Sequence, residues 1–179
     1  MAAGDKVKFS VICTPIEEIA TEQALSPIPE IIASEVGKSL SGSGEATVAS
    51  FDADSGSGAD ASVQGYLNGV VNYVNCVDNS ATAISTHTTA SFVYIKNTGY
   101  LFDSVTTLGV AMTEHVVVTT VNTGTTTISS LGPGEAIVLK ALQATKTLDC
   151  TKIKVQTFAA NGGAAGSTDH LAVEILVVD

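Results

Sequence analysis

From about residue 70 onward the chain is a succession of short segments in which β-branched and other apolar residues alternate with Thr, Ser and charged residues. A period of two places successive side chains on opposite faces, so these segments read as half-buried strands. They are Val70–Val77, Ile84–Thr88, Ser91–Lys96, Val116–Val121, Thr125–Ile128, Ala136–Leu142, Ile153–Phe158 and Leu171–Val178. In the last of them Leu171, Val173, Ile175 and Val177 share one face while His170, Ala172 and Glu174 share the other, and the apolar ending at Leu176 and Val178 predicts a strand interior to a sheet. The punctuation supports the same reading. Asn97-Thr98-Gly99, Asn122-Thr123-Gly124 and Asn161-Gly162-Gly163 supply residues for turns with positive φ, and Pro133-Gly134 suits a type II turn. Strands at this spacing predict an antiparallel sandwich, and a parallel α/β sheet with its switch-point ligand site is excluded because no strand alternates with a long helix after residue 45.

The first 45 residues are patterned differently. Lys6 to Cys13 alternates, with Val7, Phe9, Val11 and Cys13 on one face and Lys6, Lys8 and Ser10 on the other, and predicts an opening strand. Thr14-Pro15-Ile16-Glu17 then has the residues of a capping box with Pro at the first helical position. A short helix is expected to carry Ile16, Ile19, Ala20 and Leu25 up to Ser26-Pro27-Ile28-Pro29, where two prolines interrupt it. A second helix is expected from Pro29 to Leu40, ended by the Ser41-Gly42-Ser43-Gly44 linker. The chain thus divides into an N-terminal strand and helical arm, residues 1–45, and a β domain, residues 46–179, that begins with a strand at Ala46–Phe51. Asp52 to Ala61 forms an acidic Gly/Ser loop within the β domain.

Charge narrows the partners. Lys+Arg is 8 against 18 Asp+Glu, a net charge of -10, and all eight cations are Lys. Such a chain is repelled by the polyanionic backbone of nucleic acid and by an anionic membrane surface, so neither is an expected partner. Trp is absent and aromatics make up 5%, which leaves few stacking platforms for sugars. Met1 to Val7 lacks the basic and continuously apolar regions of an export signal, so a soluble, unexported chain is expected.

The residues that could carry chemistry do not assemble into a motif. His87, His115 and His170 are the candidate bases, and each reads as a hydrogen-bonded or solvated residue, His87 on a polar strand face. Gly42–Gly44 and Gly56–Gly58 lack the Gly-x-Ser-x-Gly spacing of a nucleophile elbow and read as linkers. Asp52, Asp54 and Asp60 begin like a calcium loop, but Gly56, Ser57 and Val63 stand where ligands and the obligatory glycine are required. Cys13, Cys76 and Cys150 are odd in number and far apart, which reads as buried thiols, with one bridge plus a spare thiol as the alternative. No catalytic, cofactor-binding or metal residue is assigned, and no cofactor is expected.

The stretch Ser91-Phe92-Val93-Tyr94-Ile95-Lys96-Asn97-Thr98-Gly99, followed by Leu131-Gly132-Pro133-Gly134-Glu135-Ala136-Ile137-Val138-Leu139, resembles a pattern in small virion structural proteins of tailed bacteriophages. There a strand ending in Ile-Lys-Asn and a turn precedes a Leu-x-Pro-Gly-Glu turn into a further strand. The resemblance covers about residues 91 to 178. It implies a jelly-roll-like antiparallel β-sandwich that decorates or cements a capsid, a non-enzymatic role, contact with the major capsid protein, and self-association as a homotrimer. Assembly in the host cytoplasm and residence in the virion follow from it. A tail- or fibre-associated receptor-binding module is the alternative within that class. A hydrolase, or a calcium-dependent binding domain using Asp52, Asp54 and Asp60, is the alternative outside it.

Overall fold

The computed structural model describes residues 5–13, 16–19, 32–35, 40–48, 63–64, 66–67, 70–71, 73–78, 80–121, 125–141, 147–159 and 170–178. Contacts divide the chain into two compact units, Lys6–Glu45 and Met1–Asp5 with Ala46–Asp179. The described residues are mainly β, in antiparallel sheets, and contain no helix.

The smaller unit holds β2 (Ile16–Ile19), β3 (Ile32–Glu35) and most of β1 (Asp5–Cys13) and β4 (Leu40–Val48). β1 pairs with β4, and β2 pairs antiparallel with β3 from Ile16↔Glu35 to Ile19↔Ile32. The helices expected over 14–40 are therefore corrected at Ile16–Ile19 and Ile32–Glu35, which are strands; residues 20–31 lie outside the described ones. Both stretches carry isoleucine, whose branched Cβ restricts its rotamers in a helix, and each supplies the other with ladder hydrogen bonds. The Ser41–Gly44 linker is also corrected: it lies inside β4. Gly44 is suited to that strand because a Cβ there would stand 2.6 Å from Phe9 Cζ, so the ring of β1 lies directly on the glycine.

The larger unit holds β5 (Val63–Gln64), β6 (Tyr66–Leu67), β7 (Val70–Val71), β8 (Tyr73–Cys76), β9 (Thr82–Ala83), β10 (Phe92–Ser104), β11 (Thr107–Ala111), β12 (His115–Val121), β13 (Thr125–Leu131), β14 (Ala136–Lys140), β15 (Ile153–Phe158) and β16 (Leu171–Val178). β6 and β7 form a small ladder of their own. In a six-stranded sheet β10 and β16 are central: β14 and then β11 pair along one edge of β10, and β8 and β5 pair along the far edge of β16. The second sheet runs β13-β12-β15-β9. Ile153–Phe158 and Leu171–Val178 are strands over the full predicted ranges, and β16 is interior as its pattern required.

One core joins the two sheets. Val93, Ile95, Leu171, Val173, Ile175 and Val177 come from the first, Val116, Val118, Leu131, Ile153 and Val155 from the second, with Cys76, Ile84, Ala90 and Cys150 completing the cluster. Phe92, Ala172 and Val178 alternate with the core-facing residues yet are 0–1% exposed, so the first sheet is buried on both faces at those points.

Three further expectations change. Ile84–Thr88 is not a strand; the strand lies just before it at Thr82–Ala83, and His87 sits in the irregular segment that follows. Thr107–Ala111, not anticipated, folds back on the end of β10 through Phe102↔Leu108. Asn97-Thr98-Gly99 does not reverse the chain. It lies within β10, and its positive φ of 75° at Gly99 marks an irregularity where the register with β16 jumps between Asn97 and Leu101. The Pro133-Gly134 turn is as expected: Glu135 N donates to Gly132 O at 3.0 Å, and Gly134 has φ 82° at the third position.

Candidate functional site

The two segments that carry the resemblance meet in space. Asn97, fully buried in β10, donates from Nδ2 to Leu131 O and to Glu114 O, both at 3.0 Å, and its Oδ1 accepts from Gly99 N at 2.9 Å. Its backbone closes the same knot: Asn97 N donates to Glu135 O at 3.0 Å, and Gly134 N donates to Asn97 O at 2.9 Å. Gly99 is required there, since its φ is positive and an added Cβ would come within 2.9 Å of Pro133 Cβ. Glu135 Oε2 accepts from Gly132 N at 2.7 Å and fastens the turn. One buried amide therefore ties β10 of the first sheet to β13 and to the entry of β12 in the second. The arrangement is saturated with hydrogen bonds and holds the corner rigid.

The candidate bases are dispersed. His87 N donates to Ser85 Oγ at 3.1 Å, and its carbonyl accepts from Cys150 N at 2.9 Å. His115 opens β12, opposite Phe158, with its Cε1 3.7 Å from where a Cβ on Gly132 would stand. His170 precedes β16, and its carbonyl accepts from Phe102 N at 2.7 Å. Among the described residues no three His, Cys, Asp or Glu side chains group as metal ligands. Asp52, Asp54 and Asp60 lie outside the described residues.

Cys76 and Cys150 are buried thiols without a disulfide, as the spacing predicted. Burial pushes the Cys76 thiol up to about 12, partly offset by its hydrogen bond with Thr157, so it is neutral and unreactive at ordinary pH. Thr157, itself fully buried, donates to Cys76 O at 2.7 Å and links β15 to β8. The Tyr94 hydroxyl is also held above its ordinary value, first by burial and then by the neighbouring Glu174 carboxylate.

In β1, Val11 is 53% and Ile12 72% exposed; in and beside the β10–β11 hairpin, Tyr100, Val105 and Val110 are exposed as well. Beside Val11, a shallow groove of about 340 Å³ is lined by Lys8, Phe9, Ser10, Ser43, Gly44 and Glu45. Ile12 was legible in the sequence: it is an apolar residue on the face that Lys6, Lys8 and Ser10 make polar. Asn97 carried a weaker signal, an amide two residues before a glycine in an otherwise alternating run. Comparison of this chain with family models, with curated proteins and with solved structures finds no match.

Proposed function

We propose that the chain is a non-enzymatic structural component of a bacteriophage particle, a capsid cement or decoration protein that bridges major capsid subunits through a jelly-roll-like sandwich and an N-terminal unit. The observation that carries this reading is the exposure of large apolar side chains in both units, Val11 and Ile12 in one and Tyr100, Val105 and Val110 in the other. A bridging protein needs more than one adhesive surface, and exposed apolar side chains are what such contacts bury. The knot at Asn97 supports it further, because it joins the two segments of the resemblance into a rigid corner without presenting a reactive group. The net charge of -10 argues against nucleic acid and anionic membranes as partners. Assembly would take place in the host cytoplasm.

The test is protein analysis of purified particles of the phage whose genome carries this sequence, separated into heads and tails. The chain is expected with the heads, at a fixed ratio to the major capsid protein, and heads stripped of it should lose resistance to heat or chelation while remaining closed. Its absence from particles overturns the reading. Presence on tails alone selects a receptor-binding module instead, which a cell-binding assay would then establish.

A further inference from the structure

The strands of the second sheet, β9, β12, β13 and β15, contain no Asp or Glu, in a chain with 18 acidic residues and a net charge of -10. Val116, Val118, Ile153 and Val155 turn into the core, so the residues between them form the outer face of this sheet. Pairing fixes their order. Thr127, Thr119, Lys154 and Ala83 make one row across the sheet, and Ser130, Val117 and Gln156 make the next. On the other side of that first row Thr125 pairs with Val121, whose N–H donates to Lys152 O at 2.9 Å. The outer side chains of β12 are therefore a strip of short residues, Val117, Thr119 and Val121. Exposed Thr125 and Thr127 flank it on β13, and on the β15 side stand half-buried Lys154 and, in the turn leading into that strand, exposed Lys152. The flanks are two inter-strand spacings, about 10 Å, apart.

Two features of this face call for an acceptor from outside. Among the described residues neither Lys152 nor Lys154 has a carboxylate within ion-pair distance. The nearest acid in sequence, Asp149, is engaged by Thr151, whose N–H donates to Asp149 Oδ1 at 3.0 Å and whose hydroxyl donates to the same oxygen. Thr119 is only 8% exposed, and its buried hydroxyl has no hydrogen-bond partner although Lys154 and Thr127 lie on either side of it.

We infer that this face docks an extended protein segment bearing carboxylates at alternate positions, laid along β12 so that the two acids meet Lys152 and Lys154. Alternate residues of an extended segment are about 6.6 Å apart, which suits two lysines separated by two residues. The residues between the acids point the other way, toward the hydroxyls of Thr125 and Thr127, and the Thr119 hydroxyl gains an acceptor in the carboxylate held by Lys154. At physiological ionic strength charges more than about 8 Å away are largely screened, so the two lysines outweigh the net negative charge for so short a segment. A nucleic acid or a membrane presents a far larger anionic surface and meets the acidic remainder of the chain. The inference goes beyond the capsid reading and does not depend on it.

Amide NMR of the full chain provides the test, with the blocked pentapeptide Gly-Asp-Ser-Asp-Gly as the probe and its Asn counterpart as the control. Saturable shifts are expected around Thr119, Thr127 and Lys154 with the Asp peptide only. Lys152→Gln with Lys154→Gln should weaken binding about tenfold. Thr119→Val keeps the shape of the side chain and removes its hydroxyl; it should weaken binding about threefold without lowering the melting temperature, since no hydrogen bond within the chain is lost. Absence of saturation, equal binding of the Asn peptide, shifts confined to another face, or variants that bind like the wild type overturn the inference. Inorganic phosphate that binds as tightly as the Asp peptide also overturns it, by reducing the face to a general anion spot. Each of those results leaves the particle analysis of the capsid reading standing on its own.

Discussion

The same alternation of apolar and polar residues occurs in β1 and in β10, with opposite results. In β10, Val93 and Ile95 are fully buried, because β12 and β15 of the second sheet supply the other half of the core. In β1, Val11 and Ile12 are half exposed or more, and among the described residues β4 is the one partner strand and no such layer covers them. A period of two specifies a strand and the face it offers; what covers that face is decided by segments far away in sequence. Equal patterns therefore carry unequal energies, and substitutions can measure the difference.

The largest effect is expected at Asn97. Replacement by Ala removes the donors to Leu131 O and Glu114 O and the acceptor of Gly99 N, and leaves those buried backbone groups without their partner. The cost should be about 4 kcal/mol, lowering the melting temperature by roughly 10 °C. A thermal melt by circular dichroism checks it, and a loss under about 1 kcal/mol would mean that the corner is held by its backbone alone. Next come two equal truncations. Ile95→Ala opens a cavity between the sheets and should cost about 3 kcal/mol, whereas Ile12→Ala removes a side chain that is already 72% exposed and should change the stability of the single chain by less than about 0.5 kcal/mol. Urea titrations of both variants at low protein concentration give the comparison directly. A large loss at Ile12 would show that the edge of β1 is buried in solution.

A smaller effect arises in the core from Cys76. Its thiol has a folded value of about 12, above the ordinary value of 9.0, so the unfolded chain loses this proton first as pH rises. The unfolded state then binds fewer protons than the folded one, and stability falls with pH. The contribution is intact below about pH 9, declines by about 1 kcal/mol by pH 10, and continues to fall toward the folded value. Lysines and tyrosines titrate in the same window, so the informative quantity is the difference between the wild type and Cys76→Ala in urea midpoint from pH 8 to about 10.5. That difference should shrink as pH rises, and a constant difference would mean that water reaches the thiol.

How much of this was legible follows the same division. β15 and β16 were readable to the residue because their alternation is unbroken and both ends are marked. β11 was not readable, since Thr107-Leu108-Gly109-Val110-Ala111 alternates weakly and is a strand only through its pairing with β10. Ile16–Ile19 and Ile32–Glu35 present isoleucines at a spacing that suits either state, and local capping residues favoured the helix; pairing between the two segments decided for strands. The role of Asn97 was hidden for a different reason. Its partners, Glu114 and Leu131, are 17 and 34 residues away, and only the fold brings their carbonyls to its amide.

The smallest difference lies between two ion pairs of the same length. Lys8–Glu45 and Lys96–Glu174 are both 3.7 Å apart, but the side chains of the first are 76% and 45% exposed and those of the second 36% and 27%. Lys96 and Glu174 also stand directly opposite each other on β10 and β16, two central strands that fix their backbones. Less ordering entropy is lost in forming that pair and less solvent screens it. Double-mutant cycles with Lys→Met and Glu→Gln should therefore give a coupling of about 0.5–1 kcal/mol for Lys96–Glu174 and about 0.2 kcal/mol or less for Lys8–Glu45. Added salt should erode the first coupling only in part and abolish the second. Equal couplings would mean that Lys8 and Glu45 are shielded in solution.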